Sequence, residues 1–268
     1  MTTPDLSSYD VILVSSSAGK DSQAMLDVVV TMAREAGLLE RVVVVHCDLG
    51  RVEWEGTREL AEEQARHYGV RFEVVMRPQG DLLTHVEQRG MWPGPGPARY
   101  CTSDHKRAQT FRLMTTLAAE RRAAGVVGRP VRILDCQGLR AEESPKRKKM
   151  LPFFPRKEAS NGRRQVDTWL PIHAWTTDEV WARIRAAGTR AHRAYALGMP
   201  RLSCVFCIFS SEDALLLAGH HNRGLLDEYA AVEGRIGHTF KHRLPIASIR
   251  DRVAAGEQPS RPVRTWCM

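Results

Sequence analysis

The sequence predicts an α/β protein, a mostly parallel sheet flanked by helices with a helical C-terminal appendage. Two observations carry this. Short β-branched runs alternate with helix-length segments through the first half of the chain, and such alternation implies right-handed crossovers and a parallel sheet. Beyond Pro200 the pattern reads as helical. The 268 residues suit one large domain with a smaller piece attached. The expected division is 1–215 for the α/β domain and 216–268 for the appendage and tail.

Each element has its own signal. Residues 10–16 form a buried strand, and 21–36 a helix stopped at Gly37. Residues 41–47 are a second apolar strand. A helix over 55–68 stops at Gly69, and 70–76 is a third strand. A helix follows over 81–88. WPGPGPAR then breaks the pattern with three prolines and two glycines. A long helix is expected over 103–124 and a strand over 131–137. Residues 141–164 show no period and read as a long charged loop. Thr176 or Thr177 caps a helix running to Ala187, with Asp178 and Glu179 in its first turn.

Composition narrows the classes. At 43% hydrophobic and 26% charged, the chain is ordinary globular protein. No apolar run approaches the roughly 18 residues of a membrane helix, and the first residues lack a signal-peptide pattern. The expected compartment is the cytoplasm, without membrane attachment. The net charge is +8, and residues 140–164 hold nine Lys or Arg against three Glu. That stretch is either a solvated loop or a site for an anionic partner.

The segment SSSAGKDS, residues 15–22, ends the first strand and opens a helix. That places it at the carboxyl edge of the sheet, where open α/β folds bind ligands. A helix start offers unpaired N–H groups and partial positive charge, an anion site. Ala18 and Gly19 allow close approach, Ser15, Ser16, Ser17 and Ser22 add hydroxyls, and Lys20 adds a cation. Asp21 suits the helix dipole. The Gly-Lys pair lacks the spacing of a Walker loop. Cys204 and Cys207, in CVFC, have the spacing of a metal or redox pair, able to hold one metal ion or two irons of a cluster. Cys47 and Cys136 lie in expected strands, where simple packing is favoured.

The segment resembles the SGGxDS pyrophosphate loop of the adenine-nucleotide α-hydrolase superfamily, with Ala18 at the first glycine. HCDLG (46–50), RYCTSDHKRAQ (99–109), QGLRAEESPKR (137–147), LPIHAWTTDEVWARI (170–184) and LSCVFCIFSS (202–211) follow in order. Together they resemble the phosphoadenosine phosphosulfate (PAPS) reductase family over most of residues 8–215. The resemblance implies a Rossmann-like, HUP-type fold binding an adenine nucleotide, ATP with Mg²⁺. By it, Ser15, Ser16, Ser17, Gly19, Lys20, Asp21 and Ser22 hold phosphates, His46 and Asp48 lie by the adenine or ribose, and Gly138 joins the site. Arg140, Ser144 and Arg147 match the family's anion-binding R-x-x-x-S-x-x-R element. Catalytic roles fall to Lys20, Asp21, Arg140, Arg147 and Cys267.

Iron–sulfur relatives add a cysteine at the RYC position to the later CxxC. Here those ligands are Cys101, Cys204 and Cys207, implying a four-iron four-sulfur cluster whose fourth ligand is Cys136, Cys267, another residue or substrate. Assimilatory reductases have two adjacent cysteines at the first position, whereas Tyr100 precedes Cys101 here. They also carry a C-terminal ECG(L/I)H motif, whereas this chain ends RTWCM. The expected activity is therefore an ATP pyrophosphatase that adenylates a nucleic-acid target for sulfur insertion, DNA phosphorothioation foremost. DNA or RNA would bind along 140–164, and a cysteine desulfurase would supply sulfur, with a homodimer left open. A reductase making sulfite from PAPS or adenosine phosphosulfate, and a non-catalytic nucleotide-binding module, are the alternatives.

Overall fold

In the computed structural model, which describes residues 3–261, six strands form one sheet in the order β3-β2-β1-β4-β6-β5. The strands are β1 (Val11–Ser16), β2 (Val42–Cys47), β3 (Arg71–Val75), β4 (Val131–Cys136), β5 (Phe153–Pro155) and β6 (Arg164–Trp169). All neighbours run parallel except β5 with β6. The helices between them are α1 (Lys20–Glu35), α2 (Thr57–Tyr68), α3 (Leu82–Arg89), α4 (Tyr100–Thr102) and α5 (Ala108–Ala123). This is the parallel sheet that the alternating pattern implies, in the Rossmann-like, HUP-type arrangement expected from the resemblance.

Strand alternation decides which layer each side chain joins. Ile12 and Val14 of β1 pack with Met25, Val29 and Val30 of α1 on one face. Val11 and Leu13 pack with Met114 and Leu117 of α5 on the other. Both faces are covered, so the central strands read as continuous apolar runs. The chain leaves β1 and β4, adjacent strands, toward opposite edges of the sheet. The crevice at their carboxyl ends is the switch point where this architecture places ligands.

The remaining helices are α6 (Pro145–Lys148), α7 (Thr177–Ala187), α8 (Arg193–Ala196), α9 (Glu212–His221), α10 (Arg223–Ile236) and α11 (Ile246–Ala254). Helix α7 begins with the expected cap, since Thr176 and Glu179 form a reciprocal capping box. Three expectations change. The stretch 141–164 is no simple loop: it contains α6 and β5 and runs into β6. Strand β6 escapes a hydropathy reading because Arg164 and Asp167 are buried polar residues, Asp167 accepting from the Tyr9 hydroxyl at 3.0 Å. The break at 215 falls inside α9. Helices α9–α11 share one core with Leu49, Trp54, Leu82 and Trp92, so they are joined to the sheet domain by packing rather than by a linker.

The long helix expected over 103–124 begins earlier and carries a π-turn, residues 103–107, between α4 and α5. Such a turn inserts a residue and re-aims its neighbours. It places Lys106 and Arg107 toward the crevice while burying His105 completely. His105 Nε2 meets Nδ1 of His85 at 3.0 Å, and His105 Nδ1 has no partner among the described residues. Burial, then the neighbouring His85 and Arg77, push His105 down to about 4, against the nearby carboxylates of Asp104 and Asp81. The unfolded chain therefore takes up this proton more readily than the folded one. Stability from this group is complete above about pH 6.5 and is lost between there and pH 4, by about 3 kcal/mol at most. Urea midpoints measured from pH 7 to 4.5 should fall, and His105→Gln should flatten that fall. An identical slope in both proteins would refute the role of His105.

Candidate active site

The crevice at the carboxyl ends of β1, β2 and β4 opens into a cavity of about 460 Å³. One end is polar, formed by Ser15, Ser16, Ser17, Gly19, Asp21 and Ser22. The loop bends back through Ala18, whose φ of +54° is left-handed despite its Cβ. The Ala18 methyl is buried with Leu60 and Ala61, packing that offsets the strain. Ser17 N–H donates to Ser22 Oγ at 3.2 Å, and Ala18 N–H to Ser16 Oγ at 3.2 Å. Lys20 N–H donates to the Tyr195 hydroxyl at 2.8 Å. Among the described residues, the N–H groups of Gly19, Asp21 and Ser22 make no hydrogen bond. Gly19, the N-cap of α1, brings no side-chain cap. Three unpaired donors at a helix start, facing a cavity, make an anion cradle.

The charged residues of this loop divide differently from the sequence expectation. Lys20 does not line the cavity; its ammonium lies on Asp21 Oδ2 at 3.1 Å and near the Pro200 carbonyl. Arg140 is also sealed away. It donates to Asp21 Oδ1 at 2.6 Å, to Glu142, to the Trp175 carbonyl and to Thr177. The two cations thus fix Asp21, one at each oxygen, and do not face a ligand. Ser144 caps α6 through Arg147 N–H, and Asp48 accepts from Gly50 N–H at 2.7 Å; neither lines the cavity. Gly138 does, and its Cα lies against the first turn of α1.

His46 sits between β1 and the loop after β2. Its Nδ1 meets the Ser16 carbonyl and its Nε2 a carboxylate oxygen of Glu53, both at 3.1 Å. The ring is thereby held between the end of β1 and the loop after β2. Glu53 bridges to Cys204, and Val205 N–H donates to the Val52 carbonyl at 2.8 Å. The CVFC loop is thereby stitched to the carboxyl end of β2.

Several cations line the cavity that had no individual role in the sequence reading. Arg147 was expected; Arg99, Arg107, Arg156, Arg201 and Lys106 were not. Glu143, nearly buried, accepts from Arg147 and lies 3.2 Å from Arg201. Burial lowers the Arg147 pKa, and the neighbouring Arg201 and Arg99 lower it further, against the pull of Glu143. Arg156 lies on the fully buried Asp135, whose carboxyl burial pushes up. Lys106 makes no hydrogen bond through its ammonium among the described residues. Burial works against that charge, but Cys204, Glu53, Cys47 and Cys101 around it hold its pKa above the ordinary value.

Cys47, Cys101, Cys204 and Cys207 are free thiols opening on this cavity, while Cys136 is sealed in the core. Cys47, expected as core, instead lines the site and contacts Thr110 at 3.4 Å. Burial raises both Cys204 and Cys207; Cys207 adds to the rise at Cys204, and Lys106 opposes it at both. Among the described residues no three His, Cys, Asp or Glu side chains could hold a metal ion together. Thiols set around a shared cavity suit a cluster of several irons, which spreads its ligands, better than a single zinc. Cys101, Cys204 and Cys207 all open on this cavity, without drawing together into a metal-holding group among the described residues. Cys267 lies outside the described residues.

The family model described as "Phosphoadenosine phosphosulfate reductase domain" matches residues 11–209. The chain belongs to this family. It is 27% identical over 202 residues to the adenosine 5'-phosphosulfate reductase of Allochromatium vinosum, covering 74% of this chain and 68% of that one. It is 25% identical over 159 residues to an uncharacterized 37.8 kDa protein of Escherichia phage 186, covering 58% of this chain and 43% of that one. The chain thus spans less than half of the phage protein's length. The PAPS reductase of Candida auris, solved with phosphate, shares the fold at a TM-score of 0.50 and 15% identity, covering 74% and 83% of the two chains. Among the described residues no helix is long and apolar enough to cross a membrane.

Proposed function

We propose that this PAPS reductase-family chain is an ATP pyrophosphatase that activates a nucleic-acid oxygen for sulfur insertion, in the manner of DNA phosphorothioation. One observation carries the reading. The anion cradle, the arginine cluster and the thiols share a single cavity, and its cations continue outward onto an exposed basic ridge. Lys146, Lys148 and Lys149 on and after α6 are exposed and make no ion pair among the described residues. Arg147, in the same turn, reaches the cavity. Unpaired lysines in a row suit a polyphosphate backbone better than a lone mononucleotide.

The chain's own groups divide the work. The N–H groups of Gly19, Asp21 and Ser22 hold a phosphate and stabilise charge on departing pyrophosphate. Asp21, fixed by Lys20 and Arg140, keeps the helix start in place, so both cations act by positioning. Arg147 and Arg201 hold the acceptor phosphate. Mg²⁺ would arrive with the triphosphate. Cys101, Cys204 and Cys207 would hold an iron–sulfur cluster, which supplies an iron able to carry sulfide. Sulfur would come from a cysteine desulfurase.

A second reading, sulfite formation from a phosphosulfate, is favoured by the A. vinosum relative and by guanidinium groups beside thiols. Anaerobic turnover of ATP, adenosine phosphosulfate and PAPS, each with and without DNA, separates the two. Pyrophosphate from ATP, stimulated by DNA, is the expected result. Sulfite from a phosphosulfate without ATP turnover would replace the proposal by the second reading. Iron content of anaerobic protein should fall in the Cys204→Ser, Cys207→Ser double variant; unchanged iron would remove these thiols from the ligand set.

A further inference from the structure

The thiol end of the cavity has an aromatic wall supplied by the C-terminal helices. Tyr229 of α10 stacks on Trp92 at 5.2 Å between ring centroids. Phe206, inside the CVFC loop, meets the Tyr229 ring edge-on at 5.1 Å. Tyr229 is only 2% exposed and lines the cavity together with Cys204, Cys207 and Lys106. Its hydroxyl makes no hydrogen bond among the described residues. Tyr9, Tyr68 and Tyr100 each donate to a named oxygen, and Tyr195 accepts two N–H groups. Trp92 in the same wall satisfies its N–H on the His238 carbonyl at 2.9 Å. The ring is buried while the hydroxyl opens on the cavity, where a ligand or water can complete it.

We propose that the Tyr229 hydroxyl and the Lys106 ammonium form a subsite for a small sulfur anion, of the hydrosulfide class, beside Cys204 and Cys207. The inference rests on the sulfur-transfer reading and names where the sulfur waits. Tyr229 brings one donor and Lys106 a cation with free donors. The apolar rings of Trp92, Phe206 and Phe240 favour a soft, weakly hydrated anion over a sulfate or phosphate. Those harder anions have the arginine cluster and the N–H cradle at the other end. The C-terminal helices are then part of the active site, because α10 alone supplies this hydroxyl.

Sodium hydrosulfide titrated into anaerobic protein, followed by calorimetry, tests the subsite. Tyr229→Phe should weaken binding about tenfold or more, the loss of one hydrogen bond to a charged group. The variant keeps the ring and its stacking, so its melting temperature should stay near that of the unchanged protein. In the unchanged protein, hydrosulfide should also perturb the near-ultraviolet tyrosine spectrum, a readout that needs no variant. Equal affinity in both proteins, or no binding and no spectral change, would overturn the subsite. ATP-dependent pyrophosphate release in the unchanged protein reports on the nucleotide reading separately. Release without hydrosulfide binding removes the subsite alone, and binding without release removes the ATP reading alone.

Discussion

Gly138→Ala is expected to weaken ATP binding by about tenfold or more and to destabilise the fold by about 2 kcal/mol. Gly138 has no left-handed φ, so alanine brings no backbone strain. The effect is steric. A Cβ at this position would lie 3.0 Å from the carbonyl carbon and oxygen of Asp21, and 3.1 Å from Ser22 N. Those are backbone atoms of the first turn of α1, and they cannot swing aside as a side chain would. Asp21 is held by Arg140 and Lys20, and Gly138 lies two residues beyond β4 in the middle of the sheet. One of the two must shift, and the unpaired N–H groups of Asp21 and Ser22 shift with the helix start. Gly162→Ala is the control, since nothing lies within 4 Å of its Cβ. Calorimetric ATP affinity and melting temperature check the pair. Unchanged affinity in Gly138→Ala would detach the start of α1 from nucleotide binding.

The fold was readable because its sheet is buried on both faces. Continuous Val and Ile runs and glycine stops at Gly37 and Gly69 mark β1 to β3 and their helices without ambiguity. Strand β6 was not readable, because its buried residues include Arg164 and Asp167, whose partners lie outside the strand: the Ala159 and Phe111 carbonyls and Thr115 for Arg164, Tyr9 and Arg132 for Asp167. The π-turn was equally hidden: nothing in SDHKR distinguishes it from a regular helix, yet it sends Lys106 and Arg107 into the cavity. Small residues of the first loop were legible from their place between strand and helix. Charged ones were not, because direction rather than type decides their role. Lys20 and Arg140 turn toward Asp21, whereas Arg99 and Arg201, in stretches with no phosphate-binding pattern, reach the cavity. Tyr229 lies even further from any motif, and only the packing of α10 against the CVFC loop brings it to the thiols.

Glu143→Gln is expected to lower stability by about 3 kcal/mol and to make the protein depend on bound anions. Glu143 is nearly buried beneath the cavity. It accepts from Arg140 N–H at 3.0 Å and from Arg147, and lies 3.2 Å from Arg201. Glutamine keeps the shape and can still accept from Arg140 N–H. It removes the negative charge beneath two guanidinium groups that are each largely buried. Breaking one side of a buried ion pair leaves charge uncompensated, which outweighs the loss of a surface contact several times over. The melting temperature should drop by roughly 6–12 °C in a chain of this size. Inorganic phosphate, standing in for the acceptor phosphate, should then raise it more in the variant than in the unchanged protein, because the anion replaces the missing carboxylate beside Arg147 and Arg201. An equal rise in both would mean that phosphate binds away from Arg147 and Arg201, and the acceptor phosphate would have to be sought along Arg107 and Arg156 instead.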